Sequence, residues 1–280
     1  MTTPAPHPRS LEALGLAVAA ALEPLTYPGL PVTAPALLNG RELWELEPVA
    51  GDLGDWPVRM PDGSGDPLPL DRVLRNLGAA GPGGRVPVLA VGSNASPGQM
   101  AYKLAHAGLS GVLPMVPVRV GGIGVGLSGH ISPRGYVSAS PYTDPEAETP
   151  LVVTWPDPEQ LAAVDATELP NYVRALLPAA DFPVTLPSGR RLDGAYVYAN
   201  ARGVLGRPDG TRRPAGPQRA VLRGLLAESP PLRELLGPGP GDWVRRAAAD
   251  AGVRARGTEL FAEEGWLLPE PGLVRYAGTG

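Results

Sequence analysis

Two short stretches carry the residues with the most chemical potential. The first is Gly92-Ser93-Asn94, where the apolar run "VLAV" (88–91) stops and "SPGQ" (96–99) opens a helix. Pro97 suits a first helical position, Ser96 can cap it, and Gln99 can reach back to the cap. A loop leading a buried strand into a helix presents unpaired backbone N–H groups beside a helix N-terminus, which attracts carboxylates and other anions. Gly92 allows close backbone approach, and Ser93 and Asn94 add side-chain hydrogen bonds. The same three residue types also make ordinary tight turns.

The second stretch is "WPDPEQLAAVDATELPNYVRALL" (155–177). Asp157, Pro158 and Gln160 repeat the capping pattern, and the helix they open must stop near Leu169-Pro170. Leu161, Val164 and Glu168 stand at i, i+3 and i+7, on one face. Two of the three are apolar, so the face is expected to turn inward with Glu168 at its inner end. A buried carboxylate without a fixed cationic partner has a raised pKa and can carry a proton near neutral pH. Asp165 lies close to that face and is a weaker candidate for the same role. The competing reading leaves Glu168 in solvent on a frayed last turn.

The elements around these stretches set the fold class. The chain has 280 residues with 43% hydrophobic content, enough for a sizeable core. Gly and Pro are abundant, 37 and 36, but they punctuate apolar segments, so many turns and long surface connections are expected. Residues 1–85 read as an N-terminal extension with a helix at 10–23 capped by Ser10, proline-broken coil, and a short helix near 68–77. Residues 86–200 hold the densest strand signals ("VPVLAV", "PVRVGGIGVGL", "GYVSAS", "PLVVTW", "GAYVYA"), interrupted by helices near 97–107 and 158–168. Residues 201–280 read as a C-terminal helical extension packed on that core, with helices at 217–228, 231–236 and 242–252 and a last strand at Trp266-Leu267-Leu268. Strands and helices do not alternate strictly, which favours an α+β mixed sheet over a doubly wound one.

Several function classes fall away. A net charge of -4, with no dense basic block, gives no reason to expect nucleic acid. No cysteine is present, so there is no disulfide, thiolate nucleophile or cysteine metal site, as suits a reducing compartment. The run at 11–22 contains Glu12 and is too short for a membrane span, and little basic charge precedes it, so a soluble cytoplasmic protein is expected. "GVGLSG" (124–129) has dinucleotide-fingerprint spacing, but Pro133 follows where a helix is required, so a glycine-rich strand or hairpin is expected. His7, His106 and His130 are scattered outside any metal pattern, and "DPEAE" (144–148) reads as an exposed acidic loop. There is no Gly-x-Ser-x-Gly elbow.

Taken together, "VGSN" (91–94), "VDATE" (164–168), "YVR" (172–174) and "GAYVYA" (194–199) resemble, in order and spacing, the γ-glutamylcyclotransferase family. The resemblance covers about 86–200. Val91 stands where the family has tyrosine and Ala95 where it has leucine. The resemblance implies a small mixed β-barrel or sheet flanked by helices. It also implies substrate contacts from Val91, Gly92, Ser93, Asn94, Ala95 and Tyr172, with Glu168 as general base. The substrate would be a small γ-glutamyl compound whose α-amino group attacks its own γ-carbonyl, releasing 5-oxoproline, with neither cofactor nor metal. A non-catalytic member that binds a small carboxylate ligand or a protein partner in the same pocket is the alternative. The apolar faces of the flanking helices leave a homodimer open.

Overall fold

The computed structural model describes residues 7–278 except 61, 62, 64 and 170. The fold is α+β, built on one mixed sheet. Strands β1 (Ala36–Asn39), β2 (Glu42–Leu46), β3 (Pro57–Arg59) and β4 (Leu68–Pro69) precede helix α1 (Leu70–Asn76). Then come β5 (Val88–Ala90), α2 (Pro97–His106), the long strands β6 (Val112–Ile131) and β7 (Val137–Thr154), α3 (Pro158–Glu168), β8 (Tyr172–Pro178), β9 (Val184–Thr185) and β10 (Gly194–Asn200). β11 (Val204–Leu205) leads to α4 (Gln218–Glu228), α5 (Pro230–Leu236), α6 (Pro240–Ala249) and α7 (Ala251–Glu263). β12 (Leu267–Leu268) and α8 (Pro271–Val274) close the order.

The main strand order is β4-β3-β2-β1-β6-β7-β5-β10-β8. β5 and β10 run parallel and the other neighbours antiparallel. The expected barrel is therefore an open path: β4 stands at one end and β8 at the other. β9 and β11 join β6 off this path, and β12 joins β11. β6 and β7 reach this length by bending, with register shifts between Gly121 and Ile123 and between Leu127 and Ile131. A shift of this kind lets a strand turn without leaving its ladder. The glycine-rich "GVGLSG" lies inside β6, and "DPEAE" is not a loop but the exposed middle of β7.

The N-terminal segment departs from expectation in two ways. Residues 10–23 form turns, not a helix. Gly15 adopts φ +70, and the Leu16 N–H closes onto Leu11 O at 2.7 Å, so one turn is stopped by a left-handed glycine. Leu11 is fully buried while Leu22 is exposed, so no single helical face exists to bury. The proline-broken coil also supplies β1, β2 and β3, the first two residues of the helix expected near 68–77 form β4, and β1 pairs with β6 in the same sheet as the rest.

One apolar cluster joins Leu37, Trp56, Val116, Val153, Leu177 and Val197 across the sheet. A second packs Leu11, Leu38, Met100, Leu104 and Val164 between the sheet and α2 and α3. The C-terminal helices bury Leu222, Leu232, Trp243 and Phe261 against Leu127, Ile131 and Val137 near the junction of β6 and β7. The expected helix at 242–252 is broken at Asp250, whose carboxylate accepts from the N–H groups of Gly252 (2.7 Å) and Val253 (3.3 Å) and caps α7.

Candidate functional site

β5 delivers the chain to residues 91–96 at the edge of a cavity of about 510 Å³. Ser93–Ala95 form one tight 3-10 turn before α2, in which Ala95 N–H bonds Gly92 O and Ser96 N–H bonds Ser93 O, each at 3.0 Å. The N–H groups that open this turn, those of Ser93 and Asn94, have no partner inside it. Pro97 takes the first helical position as expected, but the capping box does not form. Ser96 is buried against the Gly29 backbone, and Gln99 Oε1 instead accepts from Ala21 N–H at 2.9 Å. At α3 the pattern holds: Gln160 N–H donates to Asp157 Oδ1 (2.9 Å) and Asp157 N–H to Gln160 Oε1 (3.1 Å).

With α3 fixed at its start, its register follows. Val164 is buried, Leu161 half-buried, and the Glu168 side chain, 20% exposed, lines the cavity. The expectation of a carboxylate without a cation fails. Lys103, on α2, places Nζ 3.2 Å from Glu168 Oε1. The same ammonium donates to Asn94 Oδ1 at 2.9 Å and Thr167 Oγ1 at 2.8 Å, and Asn94 Nδ2 donates to Glu168 Oε1 at 3.1 Å. Asn94, Lys103 and Glu168 thus form a closed triangle linking the loop, α2 and α3. Oε2 of Glu168 has no hydrogen-bond partner among the described residues. Asp165 is excluded from this site: Tyr198 Oη donates to its Oδ1 at 2.7 Å and Arg174 Nη1 to its Oδ2 at 2.5 Å.

The opposite wall comes from the sheet. Tyr172, at the start of β8, lies edge-on to His130 of β6 with ring centroids 5.7 Å apart. Ser128 Oγ is hydrogen-bonded to His130 Nδ1. Burial, then the nearby Arg202 cation, pushes the His130 pKa down to about 4, so the imidazole is neutral at neutral pH. Burial, then the nearby Glu168 charge, pushes the Tyr136 hydroxyl up to about 12 and raises Tyr172 as well. These are proton-retaining hydroxyls, suited to hydrogen bonding rather than to proton abstraction.

A further tyrosine comes from outside the 86–200 region. Tyr27 stacks on Tyr136 at 4.3 Å, and its hydroxyl accepts from Ala139 N–H at 2.8 Å. A Cβ on Gly92 would lie 2.2 Å from that hydroxyl, so Gly92 is required for the close approach. The neighbouring strap of residues 16–18 sits just as tightly on α2, where a Cβ at Gly98 would lie 2.4 Å from Leu16 O.

Of the expected site residues, Val91, Gly92, Ser93, Asn94, Glu168 and Tyr172 line this single cavity. Ala95 does not. Its side chain is turned into the apolar cluster with Leu38 and Met100, while its carbonyl accepts from Val32 N–H. Sequence reasoning missed Lys103, His130, Tyr27 and Tyr136. One signal was available for Lys103: it is the sole lysine in a chain whose other basic side chains are all arginine.

No family model and no curated protein matches the sequence. Among solved structures, the chain is similar to one described as gamma-glutamyl cyclotransferase, at 13% identity and TM-score 0.35, over 66% of this chain and 89% of that one. It is also similar to an Arabidopsis thaliana protein solved in solution (17% identity, TM-score 0.34, 51% of this chain and 76% of that one). An uncharacterised Homo sapiens protein aligns at 14% identity and TM-score 0.34, over 67% of this chain and 90% of that one.

Proposed function

We propose that the protein is an enzyme of the γ-glutamylcyclotransferase type, releasing 5-oxoproline from a γ-glutamyl amine or peptide, with Glu168 as general base. The observation that carries this reading is the geometry of Glu168. Its Oε1 is held by Asn94 and Lys103 while Oε2 is left for a ligand, beside the free N–H groups of the 93–95 turn.

In this reading Glu168 Oε2 takes a proton from the substrate's α-amino group. The nitrogen lone pair then attacks the γ-carbonyl carbon and forms the five-membered ring. Developing negative charge on the carbonyl oxygen is met by the Ser93 and Asn94 N–H groups. The proton passes to the leaving nitrogen as its bond to the carbonyl carbon breaks, giving 5-oxoproline and a free amine. The attack is intramolecular, so holding the chain folded supplies much of the rate.

The test is a panel of γ-glutamyl amino acids, peptides and amines incubated with the protein, with 5-oxoproline measured directly. Release from at least one compound is expected. Saturable binding of γ-glutamyl compounds without release would leave the second reading, a carboxylate-binding protein. The ion pair that already occupies Glu168 Oε1 is the feature that favours that alternative.

A further inference from the structure

We infer that Lys103 is a positioning residue of this site, and that it is lysine because only a compact ammonium can hold the carboxylate, the loop and α3 together. The role it serves rests on the proposed function; its placement does not. Three acceptors, one from the loop and two from the last turn of α3, converge on Nζ: Asn94 Oδ1 at 2.9 Å, Thr167 Oγ1 at 2.8 Å and Glu168 Oε1 at 3.2 Å. A tetrahedral ammonium offers three donors from one point, which matches three acceptors arranged around it. A guanidinium spreads five donors along a planar fork and cannot aim three of them at a common centre.

The rest of the chain makes the contrast sharp. Every other Lys-or-Arg position is arginine, and arginine serves its ion pairs with carboxylates, as in Arg213 with Glu228 and Arg256 with Glu263. The lone exception stands where the acceptors meet at a point, with its side chain only 10% exposed. Each contact has a consequence. The bond to Thr167 anchors the last turn of α3, since the Thr167 hydroxyl in turn donates to Val164 O at 2.9 Å. The bond to Asn94 Oδ1 orients that amide so that its Nδ2 points at Glu168. The bond to Glu168 fixes Oε1 and leaves Oε2 as the oxygen that meets a ligand.

Lysine labelled with ¹⁵N puts a single ε-ammonium signal in the spectrum of the full chain, so the placement is read without any substrate. The expected result is an Nζ–H cross-peak slow enough in exchange to be seen near neutral pH, displaced in Glu168→Gln and in Asn94→Ala. A signal lost to fast exchange in the folded parent, or one indifferent to both substitutions, overturns the placement. The role is read by turnover of the best γ-glutamyl substrate. Lys103→Arg and Lys103→Met are both expected to lower kcat about 10²-fold, as a misplaced catalytic group does, with KM changed far less. Near-parental kcat in Lys103→Arg would show that charge alone suffices and would overturn the requirement for a compact ammonium. If the parent releases no 5-oxoproline from any compound, the proposed function falls, while the spectrum still decides where Lys103 sits.

Discussion

The two walls of the cavity handle polar groups in opposite ways. The helical wall, made by the 91–96 loop, α2 and α3, keeps charges and fixes them with partners: Lys103, Asn94 and Glu168 are each bonded to the other two. The sheet wall keeps its groups neutral. His130 and Tyr172 are buried and Tyr136 half-buried, where ionisation is disfavoured, and each retains the proton count of its uncharged form. The difference teaches how the labour is divided. In the proposed reaction, the group that exchanges a proton is held on the wall where charge is tolerated. Groups that only donate or accept hydrogen bonds sit where water has been excluded and the dielectric is low, which strengthens the bonds they make with a ligand.

The largest effect should come from breaking the charged wall. Glu168→Gln keeps the volume, and its side-chain oxygen can still accept from Lys103 and Asn94, but it cannot take a proton. Turnover of any γ-glutamyl substrate is expected to fall roughly 10²–10⁴-fold. Chemical denaturation should find the fold intact. A glutamine variant that releases 5-oxoproline at the parental rate would remove Glu168 from the role of base.

The neutral wall should show itself in acid. Burial holds the His130 pKa down to about 4 in the folded chain, against 6.5 for a solvated imidazole. Between those values the unfolded chain binds the extra proton and the folded chain does not, so stability contributed by neutral His130 is complete above pH 6.5 and is lost as pH falls toward 4. The upper bound on this loss is roughly 3 kcal/mol. Denaturation of the parent and of His130→Gln at pH 7 and pH 4.5 isolates it from the carboxylates, which both proteins share. The parent is expected to lose more stability than the variant over this range. Equal losses would mean that His130 is already accessible to protons.

How much of these walls can be read from the chain alone differs for a physical reason. The helical wall is local: the Asp157–Gln160 capping box sets the register of α3, and i, i+3, i+7 spacing then carries Glu168 to the inner end. The turn at 92–95 is likewise announced by its residue types. The partners are not local. Lys103 meets Glu168 only because α2 and α3 pack together, and the alternation of β6 does not reveal that His130 will face Tyr172. Tyr27 is harder still, since its hydroxyl reaches Gly92 from 65 positions earlier in the chain, out of a stretch that reads only as proline-broken coil. The fold divides the same way. The strands flanking the site are legible as apolar runs, whereas β1–β4 are short strands hidden among prolines.

The seam between the walls can be tested at Gly92. Gly92→Ala drives a methyl group to within 2.2 Å of the Tyr27 hydroxyl. That ring cannot easily swing aside, being stacked on Tyr136 and bonded to Ala139 N–H. Overpacking of this kind typically costs about 1–3 kcal/mol. The loss should appear in denaturant midpoints and be partly relieved in the double variant Gly92→Ala with Tyr27→Phe, which removes the clashing oxygen. Additive losses in the double variant would show that the two positions do not meet.

The smallest effect, and the one that sharpens the contrast most, is expected at Asp165. It sits three residues before Glu168 on the same helix, yet both of its oxygens are already engaged, by Tyr198 and Arg174. Asp165→Asn keeps an oxygen for the Tyr198 hydroxyl but turns an amide donor toward the Arg174 guanidinium. A charged hydrogen bond is lost, and such bonds are worth about 1.5–3 kcal/mol. Arg174 is a third exposed and keeps its place over the Tyr196 ring at 5.1 Å, so screening and the surviving contact bring the expected loss to about 1 kcal/mol. Turnover should stay within about threefold of the parent, because no proton passes through Asp165 and general acid–base loss is the step that costs 10²-fold or more. Measured side by side, Glu168→Gln should lose rate and Asp165→Asn should keep it, although each gives up a charged hydrogen bond. If Asp165→Asn instead lost turnover while Glu168→Gln retained it, the roles of the two carboxylates would be exchanged, and the free oxygen of Glu168 would be a ligand contact without a share in the chemistry.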